Sequence, residues 1–320
     1  MSASGGTKAI LAAMLANGGI AVTKFIAFLI SGSSSMLAES VHSVADTSNQ
    51  ALLLLGGKKA KKHADAEHPF GYGRERYVYA FVVSIILFSV GGVFSLYEGV
   101  SKLQDPHPLE QAWLPITVLL IAIVLESFSL RTAVRESNLV RGKQSWIAFV
   151  RHAKAPELPV VLLEDVAALL GLVLALFGVG LTIITDDSLW DAIGTIAIGI
   201  LLIIVAIILG IETKSLLVGE GATVKQRNLI RDTINAHPDV RSLIHMKTLY
   251  LGPEELMVAA KVDFGSQTRL VDVAESIDSV ERNVREAEPM ARVIYIEPDV
   301  YRRPTEAAPP TDAIVIKGND

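Results

Sequence analysis

Between Ser35 and Gln50 the chain reads Ser-Met-Leu-Ala-Glu-Ser-Val-His-Ser-Val-Ala-Asp-Thr-Ser-Asn-Gln. On a helix turning about 100° per residue, Glu39, His42 and Asp46 fall within one narrow stripe. His42 and Asp46 are an i, i+4 pair that can offer a nitrogen and an oxygen to one cation. A second acidic point, Glu164 and Asp165, lies in the apolar run Leu158–Gly171. Adjacent residues point about 100° apart, so only one of these carboxylates can face a given ligand directly. Asp165 is the better ligand candidate, and Glu164 is evenly divided between ligand and interhelical hydrogen bond. Histidine with carboxylates suits Zn(II), and less specifically Mn(II), Fe(II) or Co(II). The chain has no cysteine, so thiolate sites and disulfides are excluded.

These groups lie in apolar surroundings, where each ionisable side chain costs about 2.5 to 3.5 kcal/mol at a bilayer centre. Of the 320 residues 51% are hydrophobic and 20% charged, and the mean hydropathy is +0.43. That composition excludes a disordered chain and argues against a cytosolic enzyme. Six segments have the roughly 20 apolar residues a bilayer span needs: 9–31, 35–57, 77–103, 113–134, 159–184 and 189–214. The first, which carries Asn17 and Lys24, is expected to be retained as a helix and not removed as a signal peptide. Lys58, Lys59, Lys61, Lys62, Arg74 and Arg76 cluster in one connection, and Arg135, Arg141, Lys143, Arg151 and Lys154 in another. The opposite connections carry no Lys or Arg, so both termini are expected in the cytoplasm, with a bacterial inner membrane the simplest location. Within the second basic connection, Gln144–Val150 has Trp146 and Phe149 on an amphipathic element expected at the membrane surface. The net charge of −5 averages a basic membrane part and an acidic remainder, and no nucleic-acid partner is expected.

Residues 1–215 thus form a transmembrane domain. Residues 216–302 read as a small soluble domain, and 303–320, with few apolar residues, as a disordered tail. In the soluble part, 224–236 and 271–287 have helical spacing, while 242–250, 255–264 and 291–297 alternate as strands. The order α, β, β, α, β predicts an α+β domain with helices on one face of an antiparallel sheet. Its thin core favours dimerisation.

Four motifs in order carry a resemblance to a known family. They are His42-x-x-x-Asp46, His68-Pro-Phe-Gly-Tyr-Gly-Arg-Glu-Arg76, the helix of Asp165, and Trp190-Asp-Ala-Ile-Gly194. Together they resemble the cation diffusion facilitator family of divalent-metal/proton antiporters, over about residues 7–300. The run Leu163–Gly171 is similar to a subgroup related to human zinc transporter 9. The resemblance implies a transport site on His42, Asp46 and Asp165. The fourth family ligand falls at Val161, so water, Glu164 or Glu39 is left to complete the shell of a four-coordinate ion. It also implies a second ion in the loop between the second and third spans. Asp65 and His68 match there, but the third position is Tyr72, and a solvated polar loop is the favoured reading. For the soluble domain it implies a copper-chaperone-like fold, with His245 and Glu297 retained where Ala260 and Tyr295 replace other ligands. Two such residues make a weak site, so a homodimerising domain holding little or no metal is expected, with His237 exposed to solvent.

The function these features favour is transport, not catalysis: export of a divalent metal, zinc first, from the cytoplasm in exchange for protons. Metal and protons compete for the same ligands, and a histidine with a reference pKa of about 6.5 suits that exchange. A membrane metal sensor or scaffold would not need carboxylates inside the bilayer. An intramembrane metallohydrolase would need a motif such as His-Glu-x-x-His, which the chain lacks. The remaining polar groups have these expected roles: Asn17 and Glu126 shape the ion path or, at least as readily, make interhelical hydrogen bonds, Glu98 lies near a helix end, Lys24 snorkels, and Asp191 caps the sixth span near the extracellular mouth.

Overall fold

The computed structural model describes residues 3–106, 113–266 and 269–301, with side chains from Asn17 onward. The expected tail, 303–320, lies outside the described residues. The chain divides into two compact units. The first contains α1 (Ala3–Ser31), α2 (Ser34–Lys59), α3 (Glu75–Ile86), a π-helical segment (Leu87–Val93), α4 (Phe94–Gln104), α5 (Trp113–Arg141), α6 (Trp146–His152), α7 (Glu157–Thr185) and α8 (Leu189–Val218). Among the described residues, four continuous helical stretches, Glu75–Gln104, Trp113–Arg141, Glu157–Thr185 and Leu189–Val218, are long and apolar enough to cross a bilayer. α2 has the length but not the composition, because serines and the ionisable stripe interrupt its apolar run. In α1 the part whose side chains are described, Asn17–Ser31, is apolar.

Burial in this unit is inverted relative to a water-soluble protein. Phe128, Phe177, Ile184 and Ile211 are exposed, whereas Glu39, His42, Asp46, Glu164, Asp165 and Asp191 are buried beside a core of Met36, Leu87, Leu119, Leu172 and Ile198. An apolar exterior with polar groups inside is what a lipid environment selects. Glycines set the closest helix approaches: a β-carbon on Gly178 would stand 2.9 Å from the Trp190 carbonyl oxygen, and one on Gly99 2.9 Å from the Ile196 nitrogen. Small residues at such crossings let backbones pack directly. Gly99→Leu is therefore expected to lower the unfolding temperature in detergent, by the roughly 1–3 kcal/mol that overpacking costs. Gly57→Leu, where the space is open, should not, and equal melting of the two variants would refute the packing argument.

Two polar residues differ from expectation. Asp191 sits in the first turn of α8 but caps α2 instead, accepting from the Ser33 hydroxyl at 3.0 Å and the Ser34 N–H at 2.8 Å. Lys24 does not snorkel: it is 1% exposed and pairs with Glu39. α6 starts at a Ser145 cap and buries Phe149 against Ala133 and Leu162, while Arg141 lies over the Trp146 ring.

The second unit contains α9 (Val224–Asn235), β1 (Ser242–Gly252), β2 (Glu255–Asp263), α10 (Leu270–Ala287) and β3 (Ala291–Asp299). The Thr223 and Gln226 side chains form a capping box that starts α9. The strands form one sheet in the order β1-β2-β3. The expected antiparallel sheet is corrected here: β2 and β3 run parallel, with Val258 opposite Ile294 and Ala260 opposite Ile296. α10 is the crossover that a parallel pair requires. Ile230 and Ile234 of α9 and Val273, Val280 and Val284 of α10 are buried, as are Leu256, Val258 and Val262 of β2. His237, expected in solvent, is buried and accepts the Asp239 N–H on Nδ1.

Candidate functional site

The site begins with how α2 is held. Ser33 caps it, accepting the Met36 N–H, and Asp191 fastens its first turn to α8. The Ser35 hydroxyl meets Thr195 at 3.1 Å, and Ser40 donates to the Ala21 carbonyl of α1. These bonds fix the rotation of α2, so the stripe of Glu39, His42 and Asp46 turns inward. His42 Nε2 lies 3.5 Å from Asp46 Oδ2, with both side chains almost wholly buried. Among the described residues, neither His42 nitrogen has a hydrogen-bond partner, and neither does Asp46 Oδ1. Buried polar atoms are rarely left unpaired in folded proteins, and the atoms left so here are those a cation would bind.

α7 brings its two carboxylates to different neighbours, as their 100° separation requires. Glu164 turns to α2, accepting from Asn49 Nδ2 at 2.5 Å, and lies near enough to Asp46 to interact with it electrostatically. Asp165 turns to α5, accepting from the Ser129 hydroxyl at 3.0 Å. It also lines a cavity of about 400 Å³ with Gln50, Ser129, Glu136, Glu157 and Val161. Glu126 of α5 lies near enough to Asp46 and Asp165 to interact with both electrostatically. Among the described residues no three His, Asp or Glu side chains converge on one point. The structure thus pairs His42 with Asp46, ties Glu164 to Asn49 of α2, holds Asp165 one helix face away, and turns Glu39 to Lys24.

Residues 10–218 match the model of the cation efflux transmembrane domain. The chain belongs to the cation efflux family. It is 32% identical over 283 residues to the human proton-coupled zinc antiporter SLC30A9, mitochondrial, covering 87% of this chain and 50% of that protein. It is 29% identical over 262 residues to metal tolerance protein C4 of Arabidopsis thaliana, covering 81% and 57%. Against the cation-efflux pump FieF of Klebsiella pneumoniae it is 24% identical over 309 residues, covering 95% and 94%. The chain spans about half the length of the human relative. This cation efflux protein is accordingly a membrane protein of a family of transporters, related to the mitochondrial zinc antiporter.

In this cation efflux protein the loop after α2 satisfies its own polar groups. Asp65 accepts from the Tyr72 hydroxyl at 2.6 Å, the His68 N–H at 2.8 Å and the Lys62 ammonium at 3.2 Å. The Tyr72 hydroxyl and His68 N–H, helped by Lys62, hold the Asp65 carboxyl well below the usual carboxylate range. His68 lies against Tyr72, ring centroids 4.4 Å apart. The position of a cation beside Asp65 is already taken by Lys62. In the soluble unit His245 is exposed, and Glu297 pairs with Lys261 at 3.0 Å.

Asn49, Ser129 and the Lys24 pairing were not identified from sequence. Asn49 was within reach of such reasoning, since it continues the stripe three residues after Asp46. A further feature had no sequence signal: the π segment places Gly91 beside His42, where a β-carbon would stand 3.9 Å from Nδ1. Such wide turns recur at functional sites.

Proposed function

We propose that this protein is a secondary transporter that exports a divalent metal cation, zinc first, from the cytoplasm in exchange for protons. The observation that carries the reading is the buried His42 and Asp46 pair, 3.5 Å apart with both imidazole nitrogens unpartnered. Inside a bilayer such groups are retained for binding, since their burial is otherwise only a cost. Asp165 is the third ligand, reached from the cavity it shares with Val161, and Glu164 or water supplies the fourth. Ion binding draws Asp165 toward the α2 pair. Nitrogen and oxygen ligands also admit Mn(II), Fe(II) or Co(II), and zinc is favoured because the human relative is named a zinc antiporter.

Proton coupling follows from the same ligands. Ligands must be deprotonated to hold a cation, so a divalent ion held by His42, Asp46 and Asp165 displaces the protons they carry. α1 and α2 complete six spans, their polar stripe being shielded by the other helices, and the basic loops put both termini in the cytoplasm. A bacterial inner membrane is the location proposed. Purified protein in vesicles should take up zinc faster when the lumen is more acidic than the outside, so that protons leave as zinc enters. No flux of any of the four metals would sink the reading, and gradient-independent flux would remove the antiport.

The soluble unit serves association. Glu297 already has a lysine partner, and two ligands do not hold Zn(II) where structural sites use four. The full chain in chelator should sediment in detergent as a homodimer. A monomer that pairs only when zinc is added would instead require an intersubunit metal site.

A further inference from the structure

The membrane unit also holds a buried ion pair outside the ligands proposed above. Lys24 of α1 and Glu39 of α2 are 1% and 0% exposed, with Nζ and Oε2 3.0 Å apart. The ammonium also donates to the Ser43 hydroxyl at 2.9 Å. Oε1 of Glu39 is buried with no partner among the described residues, and it faces Gly171 of α7, where a β-carbon would come within 2.8 Å of it. A pair kept only to fasten two helices would gain from satisfying both oxygens, and apolar replacements of buried pairs are often as stable or more so.

The position of the pair along α2 says what it is for. Glu39 precedes His42 by three residues on the same stripe, so its carboxylate lies about 4.5 Å nearer the N-terminal end of α2. That end is the one away from the basic loops, and hence the side to which an exported ion leaves. An ion released from His42 and Asp46 in that direction next meets a buried carboxylate with a free oxygen and a fixed cation beside it.

We propose that Glu39 is the exit-side ligand of the divalent ion, and that Lys24 is a tethered cation which occupies Glu39 between cycles and expels the metal from it. This rests on the transport reading above. The ammonium and the metal compete for one carboxylate, so the ion is bound on the way out but not retained.

The test compares wild type, Lys24→Met and Lys24→Met/Glu39→Gln in detergent and in vesicles, using zinc alone as the probe. Lys24→Met should bind zinc at least tenfold more tightly by calorimetry and turn over at least tenfold more slowly, because nothing drives the ion off Glu39. The double variant removes both charges together and leaves no unpaired one. It should melt like wild type, bind zinc with wild-type affinity and still turn over about tenfold more slowly for want of the exit ligand. If Lys24→Met does not fold, the double variant decides. A folded double variant with wild-type turnover overturns the proposal and leaves the pair a helix fastener. Should wild type carry no zinc, the transport reading fails on that ground, while tighter binding by Lys24→Met still reports on competition at Glu39.

Discussion

Vesicles carrying the Asp46→Asn protein are expected to take up zinc at no more than about one hundredth of the wild-type rate, a loss at the upper end of what even outer partners of a metal produce. The substitution is chosen for what it spares. The bond from Asn49 to Glu164 is untouched, so the contact between α2 and α7 survives, while a charged ligand is lost from beside His42. His42→Ala should abolish flux similarly. Its imidazole makes no hydrogen bond to the protein, so the fold loses packing but leaves no orphaned partner. Both variants should insert and melt within a few degrees of wild type. Wild-type flux in either folded variant would show that this pair does not carry the ion.

The second large effect is a gain. Val161 lies one helical turn before Asp165, half-buried, on the wall of the same 400 Å³ cavity. Val161→His puts a nitrogen ligand on the face of α7 that carries Asp165, in a space large enough for the ring. Zinc affinity measured by calorimetry should rise at least tenfold, and zinc should be preferred over Mn(II) more strongly than in wild type, since imidazole favours the later metals. Unchanged affinity would mean that Asp165 and position 161 do not meet the ion together.

What could be read from sequence was set by local physics. Apolar run length marked the four strongly apolar helices, and the 100° rotation marked which groups of α2 share a face and why Glu164 and Asp165 part. What could not be read was choice of neighbour. Asp191 finds Ser34 157 residues away, and Lys24 finds Glu39 on the next helix. Periodicity gives a residue's face but not the helix opposite it. The sheet was misjudged for a related reason: strand patterns fix alternation, while direction depends on the crossover through α10. Likewise the polar loop of Asp65 and His68 matched a ligand spacing, yet its donors are Tyr72 and Lys62.

The π segment at Leu87–Val93 also bears on how this chain is compared with others. A turn closed by i to i+5 bonds holds an additional residue, so Glu75–Ile86 and Phe94–Gln104 are out of phase by about 100°. A single 3.6-residue repeat therefore cannot be laid across the whole stretch. Shortening it by one residue would let the turn relax to regular helix, but would swing one half about its axis. Either Gly91 would leave His42 or Gly99 would leave Ile196. In this segment it is chain length, as much as residue type, that sets which helix faces meet, and a one-residue gap in an alignment here marks a rotated helix.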